Sequence, residues 1–71
     1  MDKKKFLTNL NRIFECKVKE NTSLHTLNFD SLKVLDLISL KESKFKNLKI
    51  NPEDYIKCTN IRDILNLFGY K

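Results

Sequence analysis

The apolar residues of this chain recur at helical spacing, and no long stretch alternates between apolar and polar positions. Near the N-terminus they recur at i, i+1, i+4, i+7 and i+8, which places them on one stripe of a helix. This stripe consists of Phe6, Leu7, Leu10, Ile13 and Phe14. Asp2 precedes it and can cap the helix, because its carboxylate can accept a first-turn N–H. The pattern therefore predicts a first amphipathic helix.

The helical pattern is lost between Lys17 and Asn28. Asparagine, serine and threonine are frequent in this segment, and their side chains favour turns by bonding nearby backbone groups. We expect a long loop that Leu24 and Leu27 pin to the core, because an unpinned loop of this length is hard to order in a small domain.

A second helix is predicted from about Ser31 to Phe45, with Asp30 as its N-cap. Successive residues of a helix are about 100° apart, so the apolar residues fall on one face. The inward residues are Val34, Leu37, Ile38 and Phe45, with Leu35 at the margin of this face. The residues predicted to point outward are Lys33, Asp36, Ser39, Leu40 and Ser43.

Two further helices are predicted in the last third of the chain. Asn51 and Pro52 are typical of an N-cap and a first helical position, and they predict a short helix from Pro52 to Ile56. Thr59 or Asn60 caps a final helix, and Gly69 provides its C-terminal stop. The apolar stripe of this final helix consists of Ile61, Ile64, Leu65 and Phe68.

A chain of 71 residues supports one small core, so we assign residues 1–71 to a single all-α domain of three longer helices and one short third helix. The inward face of the second helix is expected to pack against the stripes of the first and last helices. The partners expected from those two helices are Phe6, Leu10, Phe14, Ile61, Ile64 and Phe68.

The formal charge of +5 comes from twelve lysines, two arginines and nine acidic residues, and the lysines are spread along the chain. Base readout and stacking favour arginine and aromatic residues on a polar face, which are not clustered here. The charge therefore indicates an acidic partner before it indicates nucleic acid. No apolar run is long enough to cross a membrane, and the N-terminus lacks the pattern of a secretory signal, so we expect a cytoplasmic protein.

The side chains that most often carry chemistry are few. Cys16 and Cys58 lack metal-ligand or redox spacing, and we expect two buried, reduced thiols. His25, the single histidine, lies in a polar stretch without a partner for acid–base catalysis and is expected to be a solvated loop residue. We therefore expect no metal site and no enzymatic activity in the chain itself.

At Asp30-Ser31-Leu32 the chain resembles the acyl carrier protein family, whose modified serine follows an aspartate at the start of the second helix. The setting of this tripeptide strengthens the resemblance. An amphipathic helix, a long loop, FDSLKVLDLISL, an Ile50-x-Pro52 segment and CTNIRDILNLF follow one another in the family's order across nearly the whole chain. The resemblance implies a four-helix carrier bundle.

The resemblance also implies the roles of individual residues. Ser31 matches the serine that bears a covalent 4′-phosphopantetheine arm, and Asp30 matches the acidic residue that helps the transferase position its metal-bound coenzyme A. A phosphodiester on Ser31 is compatible with unpaired N–H groups at a helix N-terminus. Leu32 matches an exposed contact for partner enzymes, and with the outward residues of the helix it gives an expected docking face. This face consists of Leu32, Lys33, Asp36, Ser39, Leu40 and Ser43.

The expected function is therefore a carrier that holds an acyl or aminoacyl group as a thioester on the arm and delivers it between separate enzymes of a dedicated biosynthetic pathway. The implied partners are a phosphopantetheinyl transferase, a loading enzyme for the acyl or aminoacyl group, and a downstream transferase or synthase. We expect a monomer that binds neither nucleic acid nor a membrane.

The chain departs from carriers of fatty acid synthesis at several places, among them a core-leucine position occupied by Lys41 and one extra residue between Phe45 and Ile50. Asn28 replaces a glycine, although asparagine also tolerates a left-handed turn. The second helix carries Lys33, Lys41 and Lys44, where those carriers are strongly acidic, so the docking contact is expected to be apolar with a basic edge. Two alternatives stay open: an aminoacyl or peptidyl carrier of a nonribosomal-type pathway, and a small basic helical module that binds nucleic acid or an acidic protein, in which Asp30 and Ser31 only cap a helix.

Overall fold

The computed structural model describes residues 1–70, which form four α-helices and one short 3-10 helix. The α-helices are α1 (Lys3–Phe14), α2 (Ser31–Lys44), α3 (Pro52–Ile56) and α4 (Ile61–Leu67), and the 3-10 helix spans Leu24–Leu27. Within the described residues there is no β-strand, and an isolated bridge joins Ser23 to Asn60. The all-α fold with a short third helix is thus confirmed. Within residues 1–70, no helix is long and apolar enough to cross a bilayer.

The helices begin at the side-chain caps that the sequence predicts. Asp2 accepts a hydrogen bond from the Lys5 N–H at 2.8 Å, which starts α1. Asn60, rather than Thr59, caps α4 by accepting from the Asp63 N–H at 3.0 Å. These contacts satisfy first-turn donors that have no partner inside the helix. At the other end of α4, Gly69 adopts a left-handed φ of 89°, which a residue without Cβ takes without strain.

The helices α1 and α2 are antiparallel, which gives the bundle two distinct ends. At one end the ring of Phe6 lies 5.8 Å from that of Phe45, near the C-terminus of α2. At the other end the ring of Phe14 lies 6.0 Å from that of Phe29, which just precedes α2. We call these the far end and the Ser31 end.

One apolar core joins the helices. Its buried members are Phe6, Leu10, Phe14, Val18, Leu24, Leu37, Tyr55, Ile61, Ile64, Leu65 and Phe68. Val34, Ile38 and Phe45 are half-buried and pack against this cluster, which confirms the predicted inward face of α2. Tyr55 fixes α3 to the core, and its hydroxyl has no hydrogen-bond partner among the described residues. Burial, followed by the charge of Glu42, raises the pKa of Tyr55, so the phenol stays neutral.

The loop before α2 is more ordered than the sequence indicates. It contains the 3-10 helix, whose start is capped by the Ser23 hydroxyl. The backbone also pairs with the segment before α4, because the Leu24 N–H donates to the Thr59 carbonyl at 3.0 Å. Leu24 is buried and Leu27 is half-buried against the core, as predicted. This pairing connects residues distant in sequence, so local turn preferences alone do not reveal it.

Three predicted orientations differ in the structure. Cys16 is exposed rather than buried, because it follows the end of α1 on the outside of the bundle. Leu40 is half-buried, because it lies one turn after the fully buried Leu37 and packs at the junction with α1. Lys33 is also half-buried, since its ammonium group donates to the carbonyl oxygen of Ile13 at 2.8 Å. This bond fastens the first turn of α2 to the last turn of α1.

Candidate functional site

Ser31 is the first residue of α2, and the residues before it fix its place. Asn28 adopts the left-handed conformation with φ 52° and ψ 49°, so this position meets the need that glycine meets in related chains. Phe29 then turns its side chain toward the core beside Phe14. Asp30 is extended, and its Oδ1 accepts from the Lys33 N–H at 3.1 Å. The left-handed turn at Asn28, the packing of Phe29 against the core and the cap at Asp30 together place the start of α2 at Ser31.

The side chain of Ser31 is open to solvent. Its hydroxyl forms no hydrogen bond with any other described residue, so no contact within the described chain holds the oxygen. The N–H groups of the first helical turn lie beside it, at the positive end of a helix of 14 residues. A hydroxyl in this environment can accept a phosphoryl-linked group, and the helix terminus stabilises the negative charge of that group.

An open cleft of about 330 Å³ lies beside Ser31. It is lined by Phe29, Asp30, Ser31, Val34 and Ile56. Three of these five residues are apolar, and Asp30 and Ser31 supply polar groups. The cleft therefore offers apolar contact next to an exposed hydroxyl.

Three large apolar side chains are exposed near this cleft. Leu32 is 67% exposed, Leu35 is 57% exposed and Ile56 is 71% exposed. We call these three residues the apolar rim. Sequence analysis identified Leu32 as a contact but placed Leu35 at the margin of the inner face and gave Ile56 no role. A helix of five residues such as α3 is too short for its apolar spacing to reveal an outward face.

The residues predicted to form the docking face occupy two environments. Leu32, Asp36, Ser39 and Ser43 are exposed on α2. Lys33 and Leu40 are half-buried toward α1, and the charge of Lys33 is engaged with the Ile13 carbonyl. Asp36 follows Leu32 by one helical turn and Ser39 follows Leu35 by one turn, so the exposed part of the predicted face is continuous with the apolar rim.

No group of three or more histidine, cysteine, aspartate or glutamate side chains within residues 1–70 is arranged to hold a metal ion. His25 is exposed, as predicted, and borders a separate shallow depression with Leu24, Asn28, Phe29 and Thr59. Cys16 and Cys58 are both free thiols. Neither cysteine lines the cleft beside Ser31.

The two thiols are expected to differ in reactivity. The Cys58 thiol donates to the Asp54 carbonyl at 3.4 Å, and burial, followed by the charges of Asp63 and Asp54, raises the pKa of Cys58 to about 11. Because the thiolate is the reactive form, only about one Cys58 side chain in a thousand is ionised near pH 8. Iodoacetamide at that pH should alkylate the exposed Cys16 and spare Cys58, whose labelling should rise as the pH approaches 11. Peptide mass mapping checks this prediction, and equal labelling near pH 8 would contradict it.

Comparison with protein families identifies a family that covers nearly the whole chain. The family described as phosphopantetheine attachment site matches residues 4–68. No curated protein and no solved structure matches the chain significantly. The matched region contains α1 from its second residue onward, the other three helices, the loop before α2 and the Asp30-Ser31 pair. Since the match spans nearly the whole chain, the protein belongs to the phosphopantetheine attachment family and is a carrier protein for a covalently attached 4′-phosphopantetheine.

Proposed function

We propose that Ser31 is the residue that bears the 4′-phosphopantetheine arm, and that the protein carries an acyl group between separate enzymes of a dedicated biosynthetic pathway. The observation that carries this proposal is the exposed, unbonded Ser31 hydroxyl at the N-terminus of α2. Both features make the oxygen accessible to a phosphopantetheinyl transferase. The nearby N–H groups favour the negative charge of a phosphodiester.

The residues around Ser31 fit the arm. Asp30 uses Oδ1 for the helix cap, and its second carboxylate oxygen has no partner within the described chain. We propose that this oxygen helps the transferase to place its metal-bound coenzyme A. The arm supplies a terminal thiol that holds the cargo as a thioester. The chain itself presents the Ser31 hydroxyl, stabilises the charge of the phosphate and offers the apolar cleft beside Ser31 to the arm or its cargo. We propose no catalytic role for the chain.

The cleft beside Ser31 favours an acyl cargo over an aminoacyl one. Its walls include Phe29, Val34 and Ile56, and the lysine nearest to it in sequence on α2, Lys33, turns toward α1. An uncharged acyl chain gains by leaving water for such walls, whereas the ammonium group of an amino acid loses hydration against them and meets a compensating charge only at Asp30. Family membership implies a transferase and pathway enzymes as partners in general. The cytoplasmic location stays a prediction.

The intact mass of the protein tests the attachment. Protein produced without the arm is incubated with coenzyme A, magnesium and a permissive phosphopantetheinyl transferase. The expected result is a mass increase equal to one arm per chain. Failure to gain this mass with several such transferases would contradict the proposed function.

We further propose that partner enzymes dock on the exposed part of α2 and on the apolar rim. Leu32, Leu35 and Ile56 present apolar side chains to water around the cleft, and burying them against a partner is favourable. Asp36, Ser39 and Ser43 extend this face along α2 with polar contacts. Lys33 and Leu40 belong to the predicted face as well, and their half-burial limits them to contacts at its border with α1.

Substitution of rim residues is expected to slow loading without unfolding the domain. Leu32→Ser and Ile56→Ser each remove an exposed apolar contact, so each should lower the rate of arm transfer about tenfold, as for one of the minority of interface residues whose truncation costs more than about 1 kcal/mol. The rate is measured by mass spectrometry under limiting transferase. The urea midpoint should stay within error of the wild type, because neither side chain is part of the core. An unchanged transfer rate in both variants would argue against the rim as a docking surface.

A further inference from the structure

The far end of the bundle gathers positive charge about 20 Å along α2 from Ser31, given 14 residues at 1.5 Å each. Three chain segments meet there, since the ring of Phe68 lies 4.8 Å from that of Phe6 and 5.1 Å from that of Phe45. These contacts bring the start of α1, the end of α2 and the end of α4 together. The basic residues carried by the first two segments and the following loop are Lys3, Lys4, Lys5, Lys44, Lys46 and Lys49, of which Lys3 pairs with Glu20 at 3.0 Å.

Most of the charge after α2 is not neutralised within the fold. Lys41 pairs with Glu42 at 3.5 Å, and its side chain is only 13% exposed. Lys44, Lys46 and Lys49 are exposed, and none of these three lysines forms an ion pair with any residue of the described chain. No acidic residue lies between Lys44 and Lys49 in the sequence. The end of α2 and the loop after it therefore carry a local positive field.

An open groove of about 360 Å³ lies within this basic region. Its apolar lining comes from Phe45, Leu48 and Phe68, of which Phe68 is buried and the other two are half-buried. Lys44 and Lys46 line the same groove, and no acidic side chain does. An apolar floor with two cationic side chains at its border is suited to one apolar side chain flanked by carboxylates.

We propose that this groove is a second docking site, which binds an acidic segment of a partner protein through one apolar anchor residue. The anchor fills the space over Phe45 and Leu48, while flanking aspartate or glutamate side chains face Lys44 and Lys46. This function goes beyond carrying the arm. Because the groove lies at the far end, a bound segment leaves Ser31, the cleft and the apolar rim free, so it can hold the carrier near an enzyme while the arm works.

The composition of the region favours a protein segment over other anionic partners. The described arginines, Arg12 and Arg62, lie outside the groove, and no exposed aromatic side chain is available there to stack on a base. A membrane-binding surface needs projecting apolar side chains, whereas the apolar residues of the groove are recessed. A concave apolar site bordered by lysines matches a side chain from a folded or extended protein segment.

Fluorescence anisotropy with a defined probe tests this proposal. The probe is a fluorescein-labelled peptide of aspartate and glutamate residues around one central phenylalanine, and the protein is the full chain without the arm, so the result does not depend on Ser31. A second peptide carries serine in place of phenylalanine. Phosphatidylglycerol vesicles and a single-stranded oligonucleotide provide the other anionic surfaces.

The double variant Lys44→Glu, Lys46→Glu should weaken binding of the phenylalanine peptide about tenfold or more at low salt, and the difference should shrink as salt is raised. The matched control reverses two exposed lysines outside the groove, Lys17→Glu and Lys57→Glu, and should change binding by about twofold or less. The serine peptide should bind more weakly than the phenylalanine peptide. Equal losses in the two double variants, no difference between the peptides, absence of peptide binding, or tighter binding of vesicles or oligonucleotide would each overturn the proposal.

Discussion

Ser31→Ala is expected to abolish attachment of the arm while leaving the fold intact. The phosphodiester forms on the serine oxygen, so removing that oxygen removes the acceptor itself, and we expect no mass increase at all. Stability should change little, because Ser31 is exposed, its hydroxyl has no partner within residues 1–70, and alanine is the best helix former. The Asp30 cap depends on the Lys33 N–H and persists in the variant.

Two other serines of α2 provide matched controls. Ser39 and Ser43 are exposed on the same helix, and alanine at either position removes a comparable hydroxyl. Both variants should gain the full mass of one arm under conditions that load the wild type. Continued mass gain by Ser31→Ala, or its loss in Ser39→Ala, would assign the attachment to another residue. Circular dichroism of each variant separates a missing acceptor from an unfolded chain.

The starts of the helices were predictable because the residues that cap each helix are close to it in the sequence. The caps Asp2, Asp30 and Asn60 act on residues within the next turn, so the sequence around each of them contains the whole signal. For the same reason α1, α2 and α3 begin at the predicted residues or within one residue of them. The end of α2 falls at Lys44, one residue before the predicted boundary, within the usual fraying of helix ends.

Contacts between distant segments were not predictable in this way. The half-burial of Lys33 depends on the Ile13 carbonyl, 20 residues earlier in the chain. Helical phase correctly turns Lys33 away from the centre of the core, but phase does not show that α1 covers that flank of α2. The half-burial of Leu40 has the same origin. Counting the lysines of α2 therefore overestimates the positive charge exposed near Ser31, because Lys33 is engaged with α1. The same count underestimates the positive charge at the far end, because Lys46 and Lys49 lie in the loop after α2.

In the candidate site, too, residues that form a local motif were predicted, whereas a residue brought close by packing of distant segments was not. Asp30, Ser31 and Leu32 were identified because they form one contiguous motif in a recognisable setting. Ile56 was missed, because its proximity to Ser31 arises only when α3 packs beside α2. A short helix between two loops carries little phase information, and its exposed face depends on which side chain is anchored. Here Tyr55 is buried, and its neighbour Ile56 consequently points outward.

Phe6→Ala is expected to cause the largest loss of stability in the chain. The Phe6 side chain is fully buried, and its ring lies 4.8 Å from Phe68, 5.0 Å from Tyr70 and 5.8 Å from Phe45. Truncation leaves a cavity where three segments meet, and such a change costs about 3–5 kcal/mol. A domain of this size has a free energy of unfolding of roughly 4–10 kcal/mol, so the variant should lose most of its stability. Urea denaturation followed by circular dichroism measures the loss.

Two further variants test whether the loss of stability arises from the buried position of Phe6. Phe45→Ala should cost less, about 2 kcal/mol, because that ring is only half-buried and lines the far-end groove. Phe6→Leu keeps an apolar side chain in the cavity and should leave a folded protein, even if Phe6→Ala does not fold. An equal or larger loss for Phe45→Ala than for Phe6→Ala would show that the core is centred elsewhere. Because Phe6 and Ser31 lie at opposite ends of the bundle, folded Phe6→Leu should still accept the arm, which separates the stability of the core from the chemistry at Ser31.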